Sequence, residues 1–267
     1  MQVKKKTALI LSACSDIGIE LVKSLKNEGY QIFGTYNNSI PDYSLLPKEN
    51  WLRLKICDYN SKEYLRWVKN IHKWDLFVSC IGSQKPVGKF VEVDSETWVN
   101  GVHNNSTYQL GAFLNALPYR DQSIESTGIF FAGGGTNSAT PSYSAQTLGK
   151  ISLIKAVELL DYELLDVKIS ILGPGWVGTK IHNATLEEKD KSGENYEKTL
   201  FMLNNPEKMN TIEQVINHIN IIRKLDKNLV GGRNFSSVHD LITKNNLERL
   251  FREDEDFYKL RRHLNNF

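Results

Sequence analysis

Short, β-rich and mostly apolar runs recur along the chain at Thr7–Leu11, Tyr30–Tyr36, Trp51–Cys57, Leu76–Cys80, Gly128–Ala132 and Val167–Leu172. Apolar residues at successive rather than alternate positions are the pattern of strands buried on both faces. Between these runs, Ile17–Asn27, Ser61–Trp74, Ser95–Leu117 and Thr147–Leu164 repeat apolar residues at three- and four-residue spacing. That is the period of a helix with one buried face. Strand–helix alternation predicts an α/β fold, a doubly wound parallel sheet of about seven strands with helices on both faces. Two further helices are expected over Thr211–Lys224 and Asn246–Leu264, with a seventh strand near Asn234–Val238 between them. No repeat, low-complexity tract or Pro/Gly linker divides residues 1–267, so a single domain is expected. The longest polar stretch, Asn183–Asn210, reads as a loop-and-helix insertion. With the residues from Trp176 it makes 176–210 a candidate substrate lid, and 241–267 a helical tail.

Composition narrows the function classes. Hydrophobic residues make up 40% and charged residues 24% of the chain, enough apolar material for a sizeable core. The 33 Lys and Arg against 31 Asp and Glu give a net charge of +2, which lacks the positive field that nucleic-acid binding needs. Cys14, Cys57 and Cys80 are odd in number and show no C-x-x-C spacing, as expected of free thiols in a reducing compartment. The histidines show no H-E-x-x-H or comparable cluster, so no metal site is expected. Lys4-Lys5-Lys6, the run Thr7–Leu11 and the box ending at Cys14 imitate a lipoprotein signal. Cleavage there would remove the first expected strand. Met1 through Cys14 is therefore expected to stay attached, and the protein to be cytoplasmic. No stretch approaches 18 uninterrupted apolar residues, so no membrane span is expected.

The first strand leads through a turn of small residues, Ser12-Ala13-Cys14-Ser15-Asp16, into a helix that begins at Ile17 and Gly18. Backbone N–H groups at such a helix start, unobstructed by large side chains, can hold a pyrophosphate, and the helix dipole favours its charge. The segment resembles the turn T-G-x-x-x-G-x-G of the short-chain dehydrogenase/reductase family, with Leu11, Ser12, Asp16 and Gly18 at the matching positions. The resemblance continues along nearly the whole chain. Asp58 matches an aspartate that bonds the adenine, and Ser79-Cys80-Ile81-Gly82 stands where the family has N-N-A-G. Trp98, Asn105 and Pro118 keep the spacing around the active-site asparagine, and Pro174-Gly175 through Thr179 matches the segment beside the nicotinamide. It implies a Rossmann-type fold and a nicotinamide dinucleotide cofactor held by Ser12, Ser15, Asp16, Ile17, Gly18, Asp58, Gly82, Lys150, Pro174, Gly175 and Thr179.

The same resemblance implies a tyrosine that moves the proton, a lysine four residues later that lowers its pKa, a serine that positions the carbonyl, and an asparagine that anchors a water. Four residues is one helical turn, which places an ammonium under a phenol. Taking Tyr143 as the tyrosine puts Thr147 at the lysine position, whereas taking Lys150 as the lysine puts Gln146 at the tyrosine position. Leu153, Glu163-Leu164 and the upstream run from Phe131 through Ser144-Ala145 favour the second alignment. The serine position then falls at Gly133 or Gly134, and of the four roles only Asn105 and Lys150 are kept. An amide does not titrate in the useful range, so Gln146 is no general acid. Tyr143, with Thr136 or Ser138, remains an alternative source of the missing hydroxyls. The second strand ends Thr35-Tyr36-Asn37-Asn38, with neither an acid for a ribose hydroxyl nor an arginine for a 2′-phosphate, so NAD and NADP both stay open.

The expected activity is reduction or oxidation of a small-molecule carbonyl or alcohol. The tail, Gly232–Asp240 and Phe257–Arg262, resembles that of family members associated with bacterial surface-sugar synthesis, which adds sugar derivatives to the candidates. The alternative is a protein of the same fold that binds a nucleotide or a partner without hydride transfer. The family also implies a homodimer or homotetramer formed through the helices expected at Asn105–Leu117 and Thr147–Leu164.

Overall fold

The structure is a computed structural model that describes residues 6–71 and 73–262. Seven strands form one parallel sheet: β1 (Thr7–Leu11), β2 (Gln31–Tyr36), β3 (Trp51–Arg53), β4 (Leu76–Ser79), β5 (Ser126–Phe131), β6 (Val167–Gly173) and β7 (Asn234–Ser236). Their spatial order is β3-β2-β1-β4-β5-β6-β7. The run Thr-Ala-Leu-Ile-Leu is buried at every position because β1 is flanked on both edges, Leu9 lying beside Phe33 of β2 and Phe77 of β4. The chain winds outward to one side from β1 to β3 and to the other from β4 to β7. The loops leaving β1 and β4 therefore diverge and open a crevice at the C-terminal edge of the sheet.

The first five helices are α1 (Asp16–Asn27), α2 (Lys62–Asn70), α3 (Ser95–Asn104), α4 (Thr107–Ala116) and α5 (Ser144–Glu163). Further helices follow: α6 (Asn183–Glu187), α7 (Lys189–Ser192) and α8 (Glu194–Asn204), then α9 (Ile212–Ile222), α10 (Lys227–Val230) and α11 (Lys244–Glu253). On one face of the sheet Leu21, Val22 and Leu25 of α1 pack with Val215, Ile219 and Ile222 of α9. On the other, Tyr64 and Val68 of α2, Phe113 of α4, and Leu153 and Val157 of α5 close over Phe77 and Phe130. The rings of Phe77 and Phe113 meet edge-on with centroids 4.8 Å apart, a favoured aromatic geometry. Buried Trp74 keeps its indole N–H satisfied on the Ala116 carbonyl at 2.8 Å.

Three elements differ from the sequence expectation. The helix expected over Ser95–Leu117 is broken at Asn105 and Ser106. Ser106 has φ −145° and ψ −91°, and its hydroxyl donates to the Val102 carbonyl at 2.7 Å, competing with the helical ladder. The strand expected through Cys57 stops at Arg53, and Ile56–Asp58 turn as a single 3₁₀ unit. The last helix ends at Glu253 rather than reaching Leu264, because Asp254, Glu255 and Asp256 would crowd negative charge at the negative end of its dipole. The chain then returns along β7, where the Asn234 N–H donates to the Tyr258 carbonyl at 2.8 Å. The final part of the expected tail, 263–267, lies outside the described residues.

Candidate active site

The turn after β1 is built tightly. Ser12 stands in the left-handed region with φ +56°, the conformation that a glycine adopts without strain. Its N–H donates to Thr35 Oγ1 at 2.9 Å, and the Ala13 N–H donates to the Thr35 carbonyl at 2.8 Å, pinning the turn to β2. Ser15 caps α1 by accepting from the Gly18 N–H at 3.1 Å. Gly18 leaves no room for a side chain, since a Cβ there would lie 2.6 Å from the Ser12 carbonyl oxygen. Ile17 turns inward and packs against the core. The first-turn N–H groups of Asp16 and Ile17 precede any intrahelical acceptor, and they are the groups a pyrophosphate would meet. Asp16 complicates that site: its carboxylate accepts from the Lys180 backbone N–H at 2.7 Å and lies 3.5 Å from the Lys180 ammonium. The backbone thus fits the phosphate pair of a dinucleotide, with a local negative charge that Lys180 offsets.

The floor of the crevice is made by the ends of β4 and β5 and by the start of α5. Asn105, fully buried, donates to the Ser83 carbonyl at 2.9 Å and the Gly101 carbonyl at 3.0 Å, and accepts from the Ser83 N–H at 3.1 Å. It therefore locks the loop that contains Gly82. Lys150 is only 3% exposed, and its ammonium donates to the Phe131 carbonyl at 2.7 Å and the Ile81 carbonyl at 3.1 Å. Burial lowers its pKa to about 7. Cys80, beside it, is pushed up to about 12, again by burial, and stays a thiol.

Of the two glycines at the expected serine position, the one that faces Lys150 and Gln146 is Gly133. A Cβ there would lie 3.0 Å from Lys150 Cγ and 3.8 Å from Gln146 Nε2, whereas one at Gly134 would meet nothing within 4 Å. Gly133, Gln146 and Lys150 thus share one corner. Tyr143 does not offer its phenol there: it is 4% exposed, packs with Val87 and Ala184, and bonds Thr185 Oγ1 at 2.6 Å, while Thr185 donates to Gln84 Oε1 at 2.9 Å. Its hydroxyl is taken up by the segment that follows β6.

That segment folds over the crevice. Gly175 has φ +73°, and a Cβ would lie 2.4 Å from Val238 Cγ2, so only glycine suits the turn. The Pro174 carbonyl accepts from Asn210 Nδ2 at 2.8 Å, and the Thr179 N–H donates to the Val177 carbonyl at 2.8 Å. Ile181 reaches toward Gly82, its Cδ1 lying 3.4 Å from where a glycine Cβ would stand. One face of Trp176 is covered by His182, stacked at 4.8 Å and 7°. His182 Nε2 donates to the Val177 carbonyl at 2.9 Å, which leaves Nδ1 the bare nitrogen, buried and without a partner among the described residues. Burial depresses the His182 pKa and favours this neutral form.

At the far end of the crevice, a cavity of about 480 Å³ is lined by Asn37, Asn38, Arg53, Lys55 and Asp58. Asp58 is where the resemblance places an adenine-bonding aspartate. Arg53 and Lys55 are missed from the sequence alone when a cation is sought only at the end of the second strand. The signal for them is a pair of charges at alternate positions in Leu52-Arg53-Leu54-Lys55, which puts both on one side of an extended segment.

No protein-family profile matches the chain, and no curated protein matches it in sequence. Solved structures match it in shape. A short-chain dehydrogenase/reductase from Saccharomyces cerevisiae superposes with a TM-score of 0.76 at 18% identity, over 89% of this chain and 98% of that one. The ligand-free aldohexose dehydrogenase of Thermoplasma acidophilum gives 0.73 at 14% identity, over 90% and 97%. A small-chain dehydrogenase in complex with NADPH gives 0.67 at 16% identity, over 87% and 96%. The chain therefore has the fold of the short-chain dehydrogenases/reductases, a doubly wound sheet with its crevice at the point where the winding reverses.

Proposed function

We propose that this protein is a divergent, cytoplasmic short-chain dehydrogenase/reductase that binds NAD or NADP along the crevice and interconverts a small carbonyl and its alcohol. The observation that carries the reading is the corner in which Lys150, held by the ends of β4 and β5, meets Gln146 and Gly133 beside the phosphate-binding turn. A bound dinucleotide supplies or accepts the hydride. The Asp16 and Ile17 N–H groups take its pyrophosphate, Asp58 its adenine, and Thr179 lies on the nicotinamide side. The Gln146 amide donates a hydrogen bond that orients the substrate oxygen but does not give up its proton. Lys150, whose pKa lies near 7, is the group at this corner able to give or take a proton at neutral pH. The substrate class that agrees with the tail resemblance is a sugar derivative, and the aldohexose dehydrogenase among the structural neighbours supports that class.

A second reading is favoured by one specific observation, the glutamine at the tyrosine position with no hydroxyl at Gly133. On that reading the protein binds the dinucleotide and transfers no hydride. Thermal shift with NAD⁺, NADH, NADP⁺ and NADPH, followed by turnover assays on aldoses, ketoses and simple ketones, separates the two. Stabilisation with turnover that is lost in Lys150→Met supports the enzyme. Stabilisation without turnover supports the binding protein, and no stabilisation by any of the four sinks both.

A further inference from the structure

We infer that the protein selects NADP over NAD by holding the adenosine 2′-phosphate between Arg53 and Lys55, two cations carried by β3 and its extension rather than by the end of β2. The inference rests on the dinucleotide reading above and adds which cofactor is taken and by which groups.

Register brings these residues to the right place. β2 and β3 are parallel, with Tyr36 opposite Arg53, and the Leu54 N–H donates to the Tyr36 carbonyl at 2.7 Å. The last residue of β2 is therefore level with the last residue of β3, and Asn37 and Asn38 turn off beside the guanidinium. In a doubly wound dinucleotide fold, the end of the second strand is where the adenosine ribose is recognised. The side chains of β3 and its extension alternate, Leu52 and Leu54 buried, Arg53 and Lys55 exposed, so both cations stand on the solvent side that lines the cavity of about 480 Å³.

Charge points the same way. An NAD site presents a carboxylate to the ribose 2′-hydroxyl, and that carboxylate repels a phosphate. Here the residues after β2 are the neutral Asn37 and Asn38. Arg53 Nε donates to the Asn37 carbonyl at 3.4 Å, which holds the guanidinium beside the turn after β2 at the wall of the cavity. Neither Arg53 nor Lys55 forms an ion pair among the described residues, so neither charge has to be released before binding. A guanidinium meets a phosphate through two parallel N–H···O bonds, and an ammonium adds a point charge. Asp58 is the single carboxylate lining the cavity, so two cations outnumber it. Its oxygens accept from the adenine amine while the cations take the phosphate.

The test is calorimetric titration of the full chain with NADP⁺, NAD⁺, 2′,5′-ADP and 5′-AMP, using the wild type, Arg53→Gln, Lys55→Gln and the double variant. Both side chains are exposed, and circular dichroism checks that the variants stay folded. The wild type should bind NADP⁺ at least about tenfold more tightly than NAD⁺, and 2′,5′-ADP more tightly than 5′-AMP, as charge-assisted pairing to a phosphate implies. Each single change should remove part of that preference, and the double variant should bring the ratio to about one. The preference should also shrink as salt is raised, because the pairs are exposed. Equal wild-type affinities, a preference for NAD⁺, or a preference that survives in the double variant overturns the selectivity while leaving a dinucleotide site in place. Absence of binding by all four ligands removes the dinucleotide reading itself, and the selectivity falls with it.

Discussion

At the scale of single residues, the corner of Gly133, Gln146 and Lys150 decides the chemistry. Gln146→Tyr places a phenol one helical turn from the Lys150 ammonium, and Gly133→Ser returns a hydroxyl to the side where the carbonyl oxygen would lie. The new serine Cβ would stand 3.0 Å from Lys150 Cγ, a contact that a flexible lysine stem relieves by a small shift. Carbonyl reduction should therefore rise by about 10²-fold or more in the double variant, the scale of one positioned general acid. Gly134→Ser, facing open space, should not substitute for Gly133→Ser in steady-state assays. Equal rates for the two pairings would refute the assignment of this corner. The sequence placed the serine position at either glycine, because spacing counts residues and says nothing of the side a strand end faces. Lys150 offers a separate check. The unfolded chain protonates this lysine below about 10.5 and the folded protein only near 7, so between those values the unfolded state binds more protons. Its contribution to stability thus rises with pH across that window and is flat below it. The denaturation midpoint of the wild type relative to Lys150→Met should fall from about pH 10 to pH 7 and then level off. Cys80 is common to both proteins, so the opposing slope it adds above about pH 9, where the unfolded chain loses a thiol proton that the folded protein keeps, cancels in the comparison. A difference independent of pH would show that the ammonium is not desolvated.

At the scale of elements, the strands were legible because β1, β4, β5 and β6 are buried on both faces, and a short continuous apolar run bounded by turn residues fits a strand covered on both sides better than any amphipathic helix. The helix break at Ser106 was not legible, since Val102, Ser106 and their neighbours keep a helical period and only the serine hydroxyl bond shows where the ladder stops. The segment after β6 is the element whose behaviour matters most. It is tied down by Asp16 to Lys180, by Lys85 to Glu187 at 2.8 Å, and by the buried bond from Tyr143 to Thr185. The first two are exposed and the last is buried, so Tyr143 should be the strongest fastening. Tyr143→Phe removes one buried hydrogen bond and leaves Thr185 with Gln84, a loss of about 1 kcal/mol. Hydrogen exchange in α6 should quicken in this variant while the chemical step, measured in single turnovers, stays near wild type. A collapse of the single-turnover rate with exchange unchanged would make Tyr143 the proton donor and would reverse the alignment that puts Gln146 at the tyrosine position.

At the scale of the whole molecule, the two faces of the sheet are not finished alike. Beyond the layer of Phe113, Leu153 and Val157, α4 and α5 still expose Leu114 at 65%, Leu148 at 47%, Leu159 at 53% and Tyr162 at 87%. Leu148 and Leu159 are three helical turns apart and Tyr162 follows one turn later, so these apolar residues share the outer side of α5, with Ser152 and Lys155 between the two leucines. Apolar residues gathered on one exposed side are what an interaction face offers a partner. The homodimer or homotetramer that the sequence resemblance implies through these two helices would cover these residues. We therefore propose self-association through α4 and α5, with Tyr162 and Leu159 near the centre of the contact. Light scattering coupled to size exclusion should give at least a dimer at micromolar concentration. Leu159→Glu with Tyr162→Glu should then give a monomer, because two carboxylates desolvated against their own symmetry mates have no partner charge. The variant should keep its fold, since both side chains already face water within one subunit. A wild-type monomer at all concentrations, or an oligomer that survives the double change, would move the interface elsewhere and leave these residues of α5 as exposed surface.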